Sequence, residues 1–265
     1  MTALPPLAGL RAAVEAAGAV VLSHFGTATV TTKADGSPLT QADLASQDVL
    51  RRALGALLPE AGWLCEETPD DARRLSREFV WVVDPLDGTK EFASGVPQFA
   101  VSIGLTRDGV PVGGAVFNPA SGQGGASMGG AVEFWGFGRL PAPAKNLSEA
   151  RASVSRTETA DGSLAELLPR LGLASCEPIG GVSYKLLRAA AGLEHLTFAV
   201  QPRSEWDVCG GAALLAAAGK VYRRLDGVPV RFNSPDTRVR SGAAGGDPVL
   251  VAQMLEVIES GKACS

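Results

Sequence analysis

Apolar residues recur at helical spacing early in the chain and at strand spacing after it. Leu7, Leu10, Val14, Ala17, Val21 and Phe25 fall three or four apart and predict an amphipathic helix over 7–25. A loop over 29–39, with Gly36 and Pro38, precedes a second helix over 40–58. Leu44, Leu50, Leu54 and Leu57 mark the buried side of that helix, and Pro59 follows its end. Positions 63–66 read as a short strand, and 67–78, rich in Asp, Glu and Arg, as a charged loop or short helix. Strands are expected over 79–83, 99–105 and 110–117. The last two are joined through Thr106-Arg107-Asp108-Gly109, whose Asp-Gly pair is a hairpin signal. The glycine-rich run 122–130 lacks the G-x-G-x-x-G register and reads as a loop or hairpin, not a dinucleotide site.

Residues 138–150, with Pro141, Pro143 and Asn146, read as the seam between an N-terminal half, 1–140, and a C-terminal half, 141–265. Beyond the seam, strands (152–155, 177–179, 196–200, 221–224) alternate with helices (163–171, 183–191, 207–218). That alternation implies an α/β layer following an α+β first half.

Composition narrows the class. With 265 residues, 46% hydrophobic and 20% charged, the chain has room for a large core. A net charge of −4 argues against a nucleic-acid polymer as partner, which would want a basic face. Cys65, Cys176, Cys209 and Cys264 form no C-x-x-C pair, and His24 and His195 are the only imidazoles, so a zinc site is not expected. Free thiols suit a cytoplasmic location. The first ten residues carry Pro5 and Pro6 and no basic stretch, unlike a signal peptide, and no apolar run is expected to span a membrane.

The chemistry concentrates at 80–89. The apolar run Val80-Trp81-Val82-Val83 ends on Asp84-Pro85-Leu86-Asp87-Gly88-Thr89. Two carboxylates and a leucine carbonyl at one strand end suit a hard cation such as Mg²⁺, which takes oxygen ligands beside phosphates. Asp, Pro and Gly also make ordinary surface turns. An EF-hand is excluded, because position 12 counted from Asp84 is Gly95. The two acids lie three apart, not the two apart of an aspartyl-phosphate pair of the haloacid dehalogenase kind. Further acids are within recruiting distance. Glu66 and Glu67 end a strand preceding Asp84, although they could equally open a solvated loop. Asp207 opens an apolar helix, where an acid can simply complement the helix dipole. Asp43 could belong to a capping box with Thr40. Two carboxylates about 4 Å apart repel by roughly 4 kcal/mol at an effective dielectric of 20. A cluster of Glu66, Asp84, Asp87 and Asp207 therefore needs cations. Two Mg²⁺ ions would balance its charge, with room for a third near Asp43 once phosphate is bound, and the chemistry implied is metal-assisted hydrolysis.

Glu66-Glu67, Trp81-Val-Val-Asp84-Pro-Leu-Asp87-Gly-Thr89 and Trp206-Asp207-Val-Cys-Gly-Gly resemble the signatures of the inositol monophosphatase-like, lithium-sensitive phosphatases. The similarity extends to Ser37-Pro-Leu-Thr40-Gln-Ala-Asp43 and Gly181-Val-Ser183-Tyr-Lys185. The resemblance implies a layered αβαβα sandwich, commonly a homodimer, with the site between the halves. It implies two or three Mg²⁺ ions on Glu66, Asp84, Asp87, Asp207, the Leu86 carbonyl and Asp43. Glu66 and Thr89, with Asp87, would serve catalysis on a metal-activated water. Gly88 and Thr89 amides would cradle phosphate, and Lys90, Gly181, Val182, Ser183 and Lys185 would meet a small phosphate ester. Asp87-Gly-Thr-Lys90-Glu91-Phe92 is similar to the 3′(2′),5′-bisphosphate nucleotidase version, which makes the 3′-phosphate of adenosine 3′,5′-bisphosphate the expected substrate. The alternatives are an inositol-1-phosphate or histidinol-phosphate phosphatase, or a non-catalytic cation- or phosphate-binding regulator. Inositol enzymes place a Glu seven residues before the Asp of Trp-Asp. Val200 stands there, so it is expected to present an apolar wall to adenine, with Lys90, Lys185 or Arg188 meeting a second phosphate.

Overall fold

Along the fully buried run 79–87, alternate side chains serve two different cores, and this fixes the layering. The computed structural model describes residues 3–33 and 36–262; Cys264 lies outside them. In chain order its first half holds α1 (Leu7–His24), β1 (Val30–Thr32), β2 (Pro38–Thr40), α2 (Gln41–Leu57), β3 (Gly62–Cys65), β4 (Phe79–Asp87), α3 (Thr89–Ala93), β5 (Ala100–Arg107), β6 (Val110–Asn118), β7 (Gln123–Met128) and β8 (Ala131–Trp135). Next come β9 (Arg151–Ser155), α4 (Arg156–Ala160), α5 (Leu167–Leu171), β10 (Ser175–Ile179), α6 (Val182–Ala191), β11 (Leu196–Ala199), β12 (Arg203–Ser204) and α7 (Glu205–Ala217). The chain closes with β13 (Val221–Arg224), β14 (Arg238–Val239), β15 (Ala243–Gly246) and α8 (Pro248–Lys262).

Strands β3 to β8 form a six-stranded sheet in sequence order, antiparallel except for the parallel edge pair β3–β4. Trp81 and Val83 join Leu10, Val14, Val21, Leu50 and Leu54 of α1 and α2 in one core. Val80 and Val82 join Leu186, Leu187, Val208, Leu214 and Leu215 of α6 and α7 in the next. Beyond α6 and α7 lies a second sheet, ordered β10-β9-β11-β15-β13. Its far face packs Val154, Leu196 and Phe198 against Leu250, Val251 and Met254 of α8. The result is the αβαβα sandwich. Each fully buried aliphatic side chain contributes about 1.5–3 kcal/mol to holding its layers together.

Several expectations are corrected. Leu44 is 46% exposed; the inner stripe of α2 runs from Leu54 and Leu50 back through Ser46 to Asp43 and Ala42. That stripe carries polar residues because it faces the end of β4, where Ser46 Oγ donates to the Pro85 carbonyl at 2.8 Å. The run 122–130 forms the β7 arm and the Gly129–Gly130 turn of the β7–β8 hairpin, in keeping with the loop-or-hairpin reading, whereas α8 has no counterpart in the sequence reading. The helix over 163–171 shrinks to five residues containing Pro169. Helix α1 is long and apolar enough to cross a membrane by length and composition, contrary to expectation. Its stripe Leu10, Ala13, Val14, Ala17 and Val21 is packed in the first core.

Candidate active site

Three acids arrive at one point by three routes. Cys65 pairs in register with Val83, so β3 delivers Glu66 beside the end of β4. The β4–β5 register shifts between Asp84 and Asp87, lifting this turn out of the ladder. The turn is stiffened where the Leu86 N–H donates to Asp84 Oδ1 at 3.0 Å. Helix α7 brings Asp207, which accepts from the Ser204 N–H at 2.9 Å in a capping box. Carboxylate oxygens of Glu66, Asp84 and Asp207 all lie within 4.8 Å of one another. Asp207 thus caps its own helix and joins the cluster, so its two readings are compatible.

Asp87 sits beside this trio. Its Oδ2 accepts the Ser183 N–H at 2.6 Å and the Ser183 hydroxyl at 2.7 Å. Ser183 is fully buried, and it holds Asp87 from behind the cleft surface. Asp43 lies outside the trio. Its Oδ2 accepts from Thr40 N and Oγ1 at 2.8 and 2.7 Å, completing the capping box of α2. Thr89 Oγ1 has two acceptors for its one proton, Leu86 O at 3.0 Å and Asp43 Oδ1 at 3.3 Å. Gly88 has φ +86°, and a Cβ there would come within 2.9 Å of Gln98 O. The turn into α3 therefore requires glycine.

A cleft of ≈ 340 Å³ opens over the acids. Gly88, Thr89, Lys90, Gly181 and Val182 line it, together with Arg156, Thr157, Gln201 and Arg203. Lys185 is buried at the cleft wall, where Nζ donates to Gly181 O at 2.7 Å and Ile179 O at 3.1 Å. Burial pushes its ammonium down to about 8. Two expectations fail. Val200 packs into the third core and does not line the cleft. Arg188 turns to Glu194, Glu177 and Tyr184, away from the cleft.

Residues missed by sequence reasoning also line the cleft. Buried Glu158 accepts the N–H groups of Val200 and Gln201, each at 3.0 Å, and pairs with Arg203. Arg156 Nη2 donates to Gln98 Oε1 at 2.5 Å, and Gln98 Oε1 also accepts the Gly180 N–H. Neither Glu158 nor Arg156 stands in a motif, and α4, which carries them, is too short for periodicity to reveal.

The acids are held under electrostatic tension. Burial, then the charges of Asp87 and Glu66, pushes Asp207 up to about 7. Burial, then Glu66, Asp87 and Asp207, lifts Asp84 well above the usual carboxylate range. Burial raises Glu66 as well, although Lys33 Nζ, 2.8 Å from its Oε1, works against the rise. An all-oxygen donor set that cannot comfortably ionise alone fits a hard divalent cation. A pH dependence follows for the metal-free protein. Raised folded pKa values give stability that is complete below the unfolded value near 3.8 and is lost as pH rises through about 7. Melting temperatures in chelator should fall from pH 5 to pH 8, and millimolar Mg²⁺ should restore the loss at pH 8. A melting temperature indifferent to Mg²⁺ at pH 8 would remove the cation from this cluster.

The inositol monophosphatase family model matches residues 6–260. The chain belongs to this family and is a phosphatase of it. It is 33% identical over 216 residues to the 3′(2′),5′-bisphosphate nucleotidase CysQ of Escherichia coli K12, covering 80% of this chain and 87% of that protein. It is also 33% identical over 196 residues to the inositol-1-monophosphatase of Rhizobium meliloti, covering 72% and 73%. Among solved structures, the extragenic suppressor protein suhB of Bartonella henselae superposes with a TM-score of 0.80 at 22% identity over 96% of this chain and 98% of that one. CysQ of Bacteroides thetaiotaomicron gives 0.74 at 26% identity over 91% and 96%.

Proposed function

We propose that the protein is a Mg²⁺-dependent 3′(2′),5′-bisphosphate nucleotidase that removes the 3′-phosphate of adenosine 3′,5′-bisphosphate. The observation that carries the phosphatase chemistry is the convergence of Glu66, Asp84 and Asp207 beneath a cleft whose rim bears Lys90, Arg156 and Arg203. Glu66, Asp84, Asp207, Asp87 and the Leu86 carbonyl would hold the metal, with Asp43 as a further ligand. Bound there, Mg²⁺ would neutralise phosphate oxygens and lower the pKa of an attacking water. Thr89, whose hydroxyl is held by Leu86 O and Asp43, would orient that water together with Glu66. Backbone N–H groups of Gly88 and Thr89 would receive the phosphate. Asp87 would keep its place through Ser183, and Lys185 would hold the Gly181–Val182 wall in shape through the Ile179 and Gly181 carbonyls.

The substrate reading draws on the nucleotidase relatives and on the cationic rim. A bisphosphate presents a second dianion, and Lys90 is exposed at the cleft with no carboxylate in ion-pair contact among the described residues. Charge-assisted contacts to that group would distinguish it from a monophosphate. With Mg²⁺, kcat/KM for adenosine 3′,5′-bisphosphate should exceed that for inositol 1-phosphate at least ~10-fold, about 1.4 kcal/mol in transition-state binding. Lys90→Ala or Arg156→Ala should narrow the ratio, mainly through KM for the bisphosphate. A phosphate-release panel measures this directly. Equal or reversed preference in the wild type would rule out the nucleotidase and favour an inositol or histidinol phosphate substrate.

A further inference from the structure

A second cavity, ≈ 370 Å³, lies beside the edge strand β3 and shares no lining residue with the cleft. Arg51 of α2 lines it together with Arg73, Arg74 and Arg77, which come from the 3-10 turn Ala72–Ser76 and the residue after it. Asp71 is the one acid in its wall. Two of the arginines are committed within the fold. Arg73 pairs with Asp71 at 2.5 Å. Buried Arg74 donates to Asp70 at 2.6 and 2.9 Å, to Asn233 Oδ1 at 2.7 Å and to Ser234 O at 2.9 Å.

Arg51 and Arg77 are not committed. Among the described residues, no carboxylate lies within ion-pair distance of either. The Arg51 guanidinium is held over the Trp63 ring, 4.7 Å from its centroid, which fixes its position without neutralising it. Among the described residues, the carboxylates within ion-pair distance of these four guanidinium groups are Asp70 and Asp71, which leaves two unpaired positive charges at one concavity in a chain of net charge −4. Guanidinium forks match phosphate oxygens in geometry, and a phosphate dianion matches the surplus charge. A nucleic-acid polymer would want an extended basic face, which a single pocket beside Asp70 and Asp71 does not provide.

We propose that this pocket is a binding site for a phosphate dianion, separate from the catalytic cleft, with Arg51 and Arg77 as its principal ligands. Its walls lead to the active site by two paths. Gly62 and Trp63 open β3, which ends beside Glu66. Arg74 braces Asn233 and Ser234, whose N–H groups donate to Glu205 at 2.6 and 3.0 Å at the start of α7, two residues before Asp207.

Inorganic phosphate titrated calorimetrically into the full chain tests this, in chelator, at pH 8 and low salt. Without metal, the carboxylates of the cleft repel the anion. The expected result is one phosphate per chain. Arg51→Ala/Arg77→Ala should bind at least tenfold more weakly at an unchanged melting temperature, and Lys90→Ala/Arg156→Ala, altered in the cleft, should bind as the wild type does. Adenosine 5′-monophosphate in a parallel arm separates the sources: equal affinity assigns the site to the phosphate group alone, and tighter binding extends it to a nucleotide. Absence of binding, or loss of binding in the cleft variant with retention in the pocket variant, would overturn the proposal.

Discussion

Asp84→Asn is expected to turn over substrate on the order of 10³-fold more slowly, about 4 kcal/mol in the barrier, while its metal-free form melts higher than the wild type. The two effects have one cause. Asp84 is buried, and its neighbours Glu66, Asp87 and Asp207 all raise its pKa. In metal-free protein it contributes repulsion, and in the metal-loaded enzyme it would contribute a ligand. Replacing a carboxylate oxygen by an amide nitrogen removes both. Each kcal/mol of relieved repulsion should raise the melting temperature by about 2–4 °C in a chain near this size. Melting above pH 7 in chelator and phosphate release with Mg²⁺ measure the two halves. Ordinary turnover in the mutant would place the metal elsewhere.

Gly210→Val should be the most damaging single change outside the acids. Helix α7 lies flat on the six-stranded sheet, and a Cβ at Gly210 would come within 2.7 Å of Ser102 Oγ and 2.8 Å of the Ile103 carbonyl. Those atoms belong to β5, an interior strand that cannot retreat without breaking its ladders to β4 and β6. Overpacking of this kind costs about 3 kcal/mol, and more where backbone must move. The melting temperature should fall by roughly 6–12 °C. Activity should fall further than stability, because the displaced helix carries Asp207. Gly55→Ala provides the contrast. Gly55 is exposed within α2 and nothing lies within 4 Å of its would-be Cβ. That change should stabilise by about 0.5–1 kcal/mol with turnover unchanged. Wild-type melting in Gly210→Val would mean that α7 does not bear on β5 as described.

Legibility followed the range of the interactions. The helical spacing of Leu10, Val14 and Val21 and the Asp108-Gly109 hairpin were readable, because helix faces and tight turns are set within a few residues. Asp108 and Gly109 indeed take φ +50° and +76°. A hairpin over 122–130 was among the readings, but the extent of strand β7 was hidden because Gly124 and Gly125 offer no β-branched or alternating pattern. They are glycines because Trp135 and Phe134 of β8 lie over them, so that a Cβ would come within 2.2 and 2.7 Å of those rings. Helix α2 shows the limit of periodicity from the other side. Leu44 looked like core, yet Asp43 and Ser46 take the inward positions because they bond to Thr40, Thr89 and Pro85.

The apolar strand ending on Asp84-Pro-Leu-Asp87-Gly-Thr89 is readable from residue order, and with it the kind of chemistry. A buried strand and a glycine turn are local properties, and carboxylates gathered at a buried strand end suit a hard cation. The motif resemblance grouped Glu66, Asp84, Asp87 and Asp207, and the fold supplies the physical reason that Glu66, Asp84 and Asp207 meet. Glu66 comes through a parallel strand pair and Asp207 through a helix more than a hundred residues away, and no periodicity encodes such a distance. The tertiary structure alone decided that Val200 joins a core, that Arg188 satisfies Glu194, and that Arg156 and Arg203 face the cleft. A charged or apolar side chain is equally at home in several environments. Which one it occupies depends on the layers packed around it.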